Sequence, residues 1–465
     1  MGESNPLAGL AAVIIGTALA WFLTPDDMSS LRSLFKPALC MILSLLVVPL
    51  VAAIRNPKSL FRGEYIVVLG PVFWLLLDPL QGRYEMVGLS SVDVRHAFLA
   101  IGIFVAAAWI ATMGRAWQLP MFVRQAASQQ LSAGALFMIG VAAFTLAFLR
   151  FAIPSGFNVA TMVNGIMGAR WDAPWTRGEL GGVDAILDHF SYFGYIVPAL
   201  TVALARREGW GGFRVVVLGV MAVIITAFLA QGGGRRITGM LFGSALVFWF
   251  LSAPRVQARQ IIIALAVAVG VLILLDQILE YRGVGAGGAS ELAEGKPSDE
   301  EGQVLIRVDD NFLRLAQMNA IFPESQPYTQ WNYVVWVLSR PVPRMLWPGK
   351  PLNAGFDLAA YTGQVGVSLS SSVIGELVMA GGWLAVALGG WLYGRLGRTL
   401  STLLEGSPTQ SALVLYSIGL LALFVGERSM IELVLMSYGA LAWVGLLWFS
   451  GRQAERRRPV RGARG

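Results

Sequence analysis

Arginines fall in three unusual places in this chain. The stretch "QGGGRRITGM" (231–240) sets Arg235 and Arg236 directly after three glycines, and "SRPVPRMLWPGKP" (339–351) carries Arg340, Arg344 and Lys350 on a proline-stiffened segment with Trp347 among them. "GARWDAPWTRGELGG" (168–182) places Arg170 and Arg177 among tryptophans, one on either side of Trp171 and Trp175. A guanidinium pairs bidentately with phosphate oxygens. Consecutive glycines let backbone N–H groups approach an anion at the start of a helix, and aromatic faces beside polar groups suit sugar rings. Two readings fit Arg235 and Arg236: an anion site, or snorkelling of both guanidiniums into a lipid headgroup layer.

Carboxylates are the candidates for proton transfer. Glu376, in "SSSVIGELVMAGG", falls in the first turn or two of an apolar helix, where an ionisable group is costly and faces a partner or an aqueous cavity. Glu427 and Arg428 form the whole turn in "FVGERSM", either bonding a neighbouring helix end or serving function. "DDNFLRLAQMNAIFP" (309–323) reads as a short amphipathic helix. Asp309 or Asp310 would cap it, Phe312, Leu315 and Met318 would share a face, Arg314 lies within it, and Pro323 follows its end. His96 and His189 read as interfacial residues rather than bases. Two histidines and one cysteine, Cys40, make neither an ordinary His/Cys metal site nor an internal disulfide. A carboxylate site for a hard cation stays open, and no cofactor is expected.

The elements that must position these groups are membrane helices. Of 465 residues, 56% are hydrophobic and 14% charged, with a mean hydropathy of +0.63; soluble chains carry about 25% charged residues. Apolar runs of roughly 16–22 residues, long enough to span the hydrocarbon core, recur about twelve times: 7–23, 37–54, 65–80, 95–113, 132–152, 190–205, 213–231, 237–252, 260–280, 371–393, 411–426 and 429–449. The first has no basic flank and no small-residue cleavage site, so it reads as a retained span. The polybasic tail 451–465 and the arginines of alternate loops put both termini in the cytoplasm by the positive-inside rule. Arg235 and Arg236 then face outward, against the trend.

Four regions follow: 1–280, with nine spans and an outer loop at 153–189; a long outer loop, 281–370; three spans over 371–450; and the basic tail. Within the long loop, "GVGAGGASELAEGKPSDEEG" (283–302) reads as a solvated linker, and "WNYVVWVL" (331–338) as an aromatic segment lying in the interface.

These residues resemble a family. "GGGRRITGMLFGSALVF" is similar to the arginine turn and small-residue helix of O-antigen polymerases (Wzy) and O-antigen ligases (WaaL). "SRPVPRMLWPGKP" followed by "SLSSSVIGELVMAGGWLAVALGGWLYGRLGR" resembles the latter half of oligosaccharide repeat-unit polymerases, so the likeness covers roughly 230–400. The resemblance implies an all-α polytopic protein of GT-C-like architecture in the bacterial inner membrane. It implies a metal-independent glycosyltransferase that moves a glycan from undecaprenyl diphosphate to a hydroxyl acceptor at the periplasmic face. Donor and acceptor would both be undecaprenyl-diphosphate-linked oligosaccharides, with the lipid bilayer and a chain-length regulator as partners and no nucleic acid.

On that reading Glu376 is the base, ahead of Asp310. Arg235, Arg344 and Arg340 take the diphosphate, with Arg314 and Arg428 in reserve, and Arg236, Lys350, Arg170 and Trp347 bind substrate. Arg235 sits where the family's turn has its arginine, whereas Arg236 has no counterpart. An Arg–x10–Gly spacing found in some polymerases occurs at Arg170–Gly181 and Arg344–Gly355; with 53 glycines in the chain it is an easy spacing to meet. Ligases have a histidine near the position of Ser370–Ser372, and its absence favours a polymerase. A lipid-linked oligosaccharide flippase is the rival from another class. It would place polar groups near the midplane in two repeated halves, and neither pattern is present here. A non-catalytic scaffold would not need arginines at three outer segments.

Overall fold

The computed structural model describes residues 5–28, 30, 32–82, 86, 88–169, 171–176, 182–231, 235–281, 308–364 and 369–456, of which 182, 235, 274–281 and 451–456 by backbone alone. Arg170, Arg177, Gly181, the three glycines 232–234, the linker 283–302 and the end of the basic tail lie outside the described residues.

Every regular element among the described residues is helical. In chain order the helices are α1 (Pro6–Leu23), α2 (Phe35–Arg55), α3 (Gly63–Gln81), α4 (Ser91–Met113), α5 (Met121–Ser128), α6 (Ala133–Ala152), α7 (Val159–Met167), α8 (Gly182–Ser191), α9 (Val197–Glu208), α10 (Phe213–Gln231), α11 (Arg235–Leu251), α12 (Ala258–Tyr281), α13 (Asn311–Ile321), α14 (Trp331–Ser339), α15 (Ser372–Ser401), α16 (Gln410–Gly426) and α17 (Met430–Arg456). Eight of them, α1–α4, α6, α10, α15 and α17, are long and apolar enough to cross a membrane, as a multi-pass membrane protein requires; α11 and α16 are apolar but shorter, and α12 is apolar over Ala258–Ile273, the part whose side chains are described. The stretch 190–205, expected as one span, is divided among the end of α8, a 3-10 turn at Tyr192–Ile196 and the twelve-residue α9.

The chain forms two compact units. The first comprises Met1–Trp117, Lys296–Thr402 and Leu420–Met436; the second comprises Gln118–Gly295, Leu403–Gly419 and Ser437–Gly465. In the first unit, local chemistry sets the helix starts. Asn5 accepts from the Ala8 N–H before α1, and Ser90 and Asp93 form a capping box before α4. Close packing then comes from small residues, the usual device of membrane helices. A Cβ on Gly390 or Gly394 of α15 would stand 2.1 or 2.3 Å from the carbonyl oxygens of Phe104 and Ala108 on α4, so only glycine permits that approach. Near the C-terminal end of α15, the buried Glu64 joins α3 to it. Its carboxylate meets Arg62 at 2.9 Å and Arg398 at 3.3 Å, and accepts from the Ser401 hydroxyl at 2.5 Å.

A break in α15 positions the site. Gly381 and Gly382 leave helical geometry, with Gly382 at φ +61°. The interruption frees the carbonyls of Met379 and Ala380, as helix kinks do. They accept from the backbone N–H groups of Thr329 and Gln330 at 3.0 and 2.9 Å. Tyr328 fills the space beside Gly382, its hydroxyl 2.5 Å from where a Cβ would be. Residues 328–330 are thereby fixed to α15, and α14 starts from that anchor. The expected helix over 309–323 is α13, and Phe312, Leu315 and Met318 are all buried. Asp310 occupies the cap position but makes no side-chain cap bond; it pairs with Arg314 instead.

The second unit holds α5–α12 with parts of α16 and α17. Arg150 on α6 meets Asp188 at 2.6 Å and donates to the Trp175 carbonyl at 2.5 Å. The Trp175 ring N–H donates to Gln231 at 3.3 Å, which steadies the last residue of α10. His189 packs against Tyr438 at 5.4 Å and Tyr192 at 6.3 Å. In the first unit, His96 lies between Trp21 and Trp383 at 5.8 and 5.5 Å. Both histidines pack among aromatic rings.

Candidate functional site

The opening of α15, the turn 427–429 and α14 converge in the first unit. The Val373 N–H donates to the Glu427 carbonyl at 2.9 Å, and the Ser370 hydroxyl donates to the Arg428 carbonyl at 3.0 Å. Ser372, at φ +65°, turns the chain left-handed into the helix. One turn later, Glu376 receives three hydrogen bonds. Its Oε1 accepts from the Ser429 hydroxyl at 2.5 Å; its Oε2 accepts from the Met430 N–H at 2.9 Å and the Tyr333 hydroxyl at 2.8 Å. Tyr333 is 4% exposed. Burial first, and then the charge of Glu376, push its phenol well above the ordinary tyrosine value, so it stays a proton donor. A carboxylate has about four lone-pair positions. Three are occupied here, and Glu376 is only half-buried. The remaining position on Oε1 is the one that an incoming O–H group can use.

Ion pairs surround this carboxylate. Arg428 binds Asp309 through Nε and approaches Glu432 at 3.7 Å through Nη1. Burial opposes its charge, but Asp309, Glu432 and Glu376 together hold the guanidinium above its ordinary value. Arg314 pairs with Asp310 and donates to Gln317 at 3.0 Å. Glu427 differs from all of these. It is 3% exposed, and neither carboxyl oxygen has a hydrogen-bond partner. It packs on Gly70 of α3, where an added Cβ would stand 1.9 Å from Oε2. Burial pushes its carboxyl well above the usual range. Among the described residues, no group of three or more His, Cys, Asp or Glu is placed to hold a metal ion.

Of the residues marked out in the sequence, Glu376, Asp310, Arg314 and Arg428 thus come from elements that pack together in the first unit. The 339–351 segment of the same unit is organised around its own cations. Lys350 is buried and donates to the carbonyls of Arg340 and Val342 at 3.1 and 2.9 Å; Arg344 donates to those of Lys350 and Pro351 at 3.1 and 3.4 Å. Lys350, expected as a substrate contact, closes this loop through those two bonds. Burial, then Arg340 and Arg344, lower its ammonium below the ordinary lysine value. Arg340, Arg344 and Trp347 are exposed. Arg235 and the half-buried Arg236 open α11 in the second unit. Sequence reasoning missed Tyr333 and Ser429 as partners of Glu376. Tyr333 sat within a segment read as apolar, and a lone serine in a turn carries no periodic signal. No protein-family model, no curated protein and no solved structure matches this chain.

Proposed function

We propose that this chain is an integral-membrane glycosyltransferase of the polysaccharide-polymerase type. It joins undecaprenyl-diphosphate-linked repeat units at the periplasmic face of the inner membrane, with twelve spans in a GT-C-like arrangement and both termini inside. The observation that carries the reading is Glu376, a carboxylate at the opening of a membrane helix, oriented by three donors with one lone-pair position left over. The acceptor hydroxyl gives its proton to Glu376 while its oxygen bonds to the anomeric carbon of the donor. The bond from that carbon to the diphosphate oxygen breaks, and undecaprenyl diphosphate leaves with the electron pair. Fixed guanidinium groups stabilise the charge that develops on it. Arg340 and Arg344 take that role in the first unit, because Arg314 and Arg428 are already held by Asp310 and Asp309. The hydroxyls of Ser429 and Tyr333 keep the carboxylate aimed. No histidine stands at 370–372, which favours polymerase over ligase.

Removing the base tests this. Glu376→Gln keeps the size of the side chain and should lower long-chain polymer per unit of membrane-inserted protein by about 10²–10⁴, the range for loss of a positioned proton acceptor. Polymer at the wild-type level in this variant removes Glu376 from the chemistry. Normal export of single units with linkage alone lost separates a transferase from a flippase.

A further inference from the structure

At the C-terminal end of α15, away from Glu376, lies an arginine that the transfer reaction does not use. Arg395 lies beyond the break at Gly381–Gly382, and the helical run from Gly382 to Arg395 rises about 20 Å at 1.5 Å per residue. The guanidinium carbon of Arg395 lies 5.4 Å from the ring centre of Trp117 and 5.8 Å from that of Trp391. Both distances fall within cation–π range. The Trp117 backbone N–H donates to the Thr399 hydroxyl at 3.0 Å, and that hydroxyl donates to the Arg395 backbone carbonyl at 2.7 Å, so the main chains of the two residues share one anchor. Gly114 leaves room for the guanidinium, since a Cβ there would stand 2.5 Å from Nη1.

No carboxylate or carbonyl among the described residues receives a hydrogen bond from this guanidinium, and its Nε is buried without an acceptor. Arg115, next to Gly114, is exposed and likewise has no acidic partner there. Arg62 and Arg398 differ from these two, because they share Glu64. Arg395, framed by tryptophans that are 37% and 43% exposed, and Arg115 are thus two unneutralised cations near the C-terminal end of a membrane-length helix, the end that would meet the phosphate layer of a bilayer. Indole rings favour that layer, and a guanidinium fork matches phosphate oxygens.

We propose that Arg395, Arg115, Trp117 and Trp391 form a binding site for the phosphodiester headgroup of an anionic phospholipid. Arg395 grips the phosphate, the rings line the glycerol and upper acyl region, and Arg115 selects for net negative charge. The site does not depend on the proposed transferase activity.

The test uses the full chain purified in detergent, with phosphatidylglycerol, phosphatidylcholine or inorganic phosphate added. Bound lipid is read by native mass spectrometry and the unfolding midpoint by heating. Phosphatidylglycerol should remain bound and raise the midpoint, whereas phosphatidylcholine should do neither. Arg395→Gln should weaken phosphatidylglycerol retention about tenfold, and Arg395→Lys should restore only part of it. Equal retention by the wild type and Arg395→Gln overturns the site. Equal protection by inorganic phosphate overturns the lipid and makes a free anion the ligand. Should Arg395→Gln not fold, the exposed Arg115→Gln carries the test: undiminished preference for phosphatidylglycerol over phosphatidylcholine in that variant overturns the proposal.

Discussion

Glu376 and Glu427 lie in one unit under opposite conditions, and the difference makes them separable by experiment. Glu376 accepts three hydrogen bonds, whereas Glu427 accepts none through its side chain and fills a notch left by Gly70. A buried carboxyl with no donor is held neutral. Because its folded value is raised, the folded state keeps a proton that the unfolded chain releases. The stabilisation is therefore complete below the ordinary carboxylate range and is lost as pH rises through the raised value. Glu427→Gln should abolish this slope and leave neutral-pH stability equal or higher. The measurement is the unfolding midpoint in detergent from about pH 5 to 9, and parallel curves for the two proteins would contradict it. Gly70→Ala should cost roughly 1–3 kcal/mol by overpacking the same notch. The sequence placed Glu427 in a turn and left its role open, because a glycine in "VVLGPVF" gives no sign that a distant carboxyl occupies its missing side chain.

At the level of elements, the kink in α15 decides whether Tyr333 reaches Glu376. Gly382→Ala would force a side chain onto a residue at φ +61° and against the Tyr328 hydroxyl. It should destabilise the docking of 328–333 by about 1–3 kcal/mol. Polymer formation should then fall, and proteolysis within 324–339 should quicken. Tyr333→Phe removes one donor to a charged carboxylate and should lower transfer about 10- to 100-fold without faster proteolysis. If Gly382→Ala leaves both readings unchanged, α14 is held by something other than the kink. The amphipathic α13 was legible because its apolar residues recur at helical spacing. The kink was not, because two adjacent glycines in an apolar run read equally well as a close helix contact.

Across the whole molecule, composition alone announced a multi-pass membrane protein, and eight helices have the required length and apolarity. The number of spans was less legible, since a hydropathy window cannot see that the helical stretch around 190–205 passes through a 3-10 turn at Tyr192–Ile196. Orientation rests on the arginine-rich tail and alternate loops. A reporter fused after Gly465 should be active only in the cytoplasm, and one inserted near Gly295 only outside; the reverse at both points would put Arg235 in the wrong compartment. Given that orientation, Arg235 opens α11 on the outer side, where helix N–H groups favour an anion. Arg235→Ala should lower polymer per unit of inserted protein by about 10²–10³, the usual cost of one strong charge-stabilising donor. Arg235→Lys should restore little, because an ammonium cannot form the paired bonds of a guanidinium to phosphate. A snorkelling arginine behaves otherwise: lysine would replace it almost fully, and alanine would reduce membrane insertion more than activity. Wild-type activity in the lysine variant would remove Arg235 from the diphosphate and leave that role to Arg340 and Arg344 alone, both exposed.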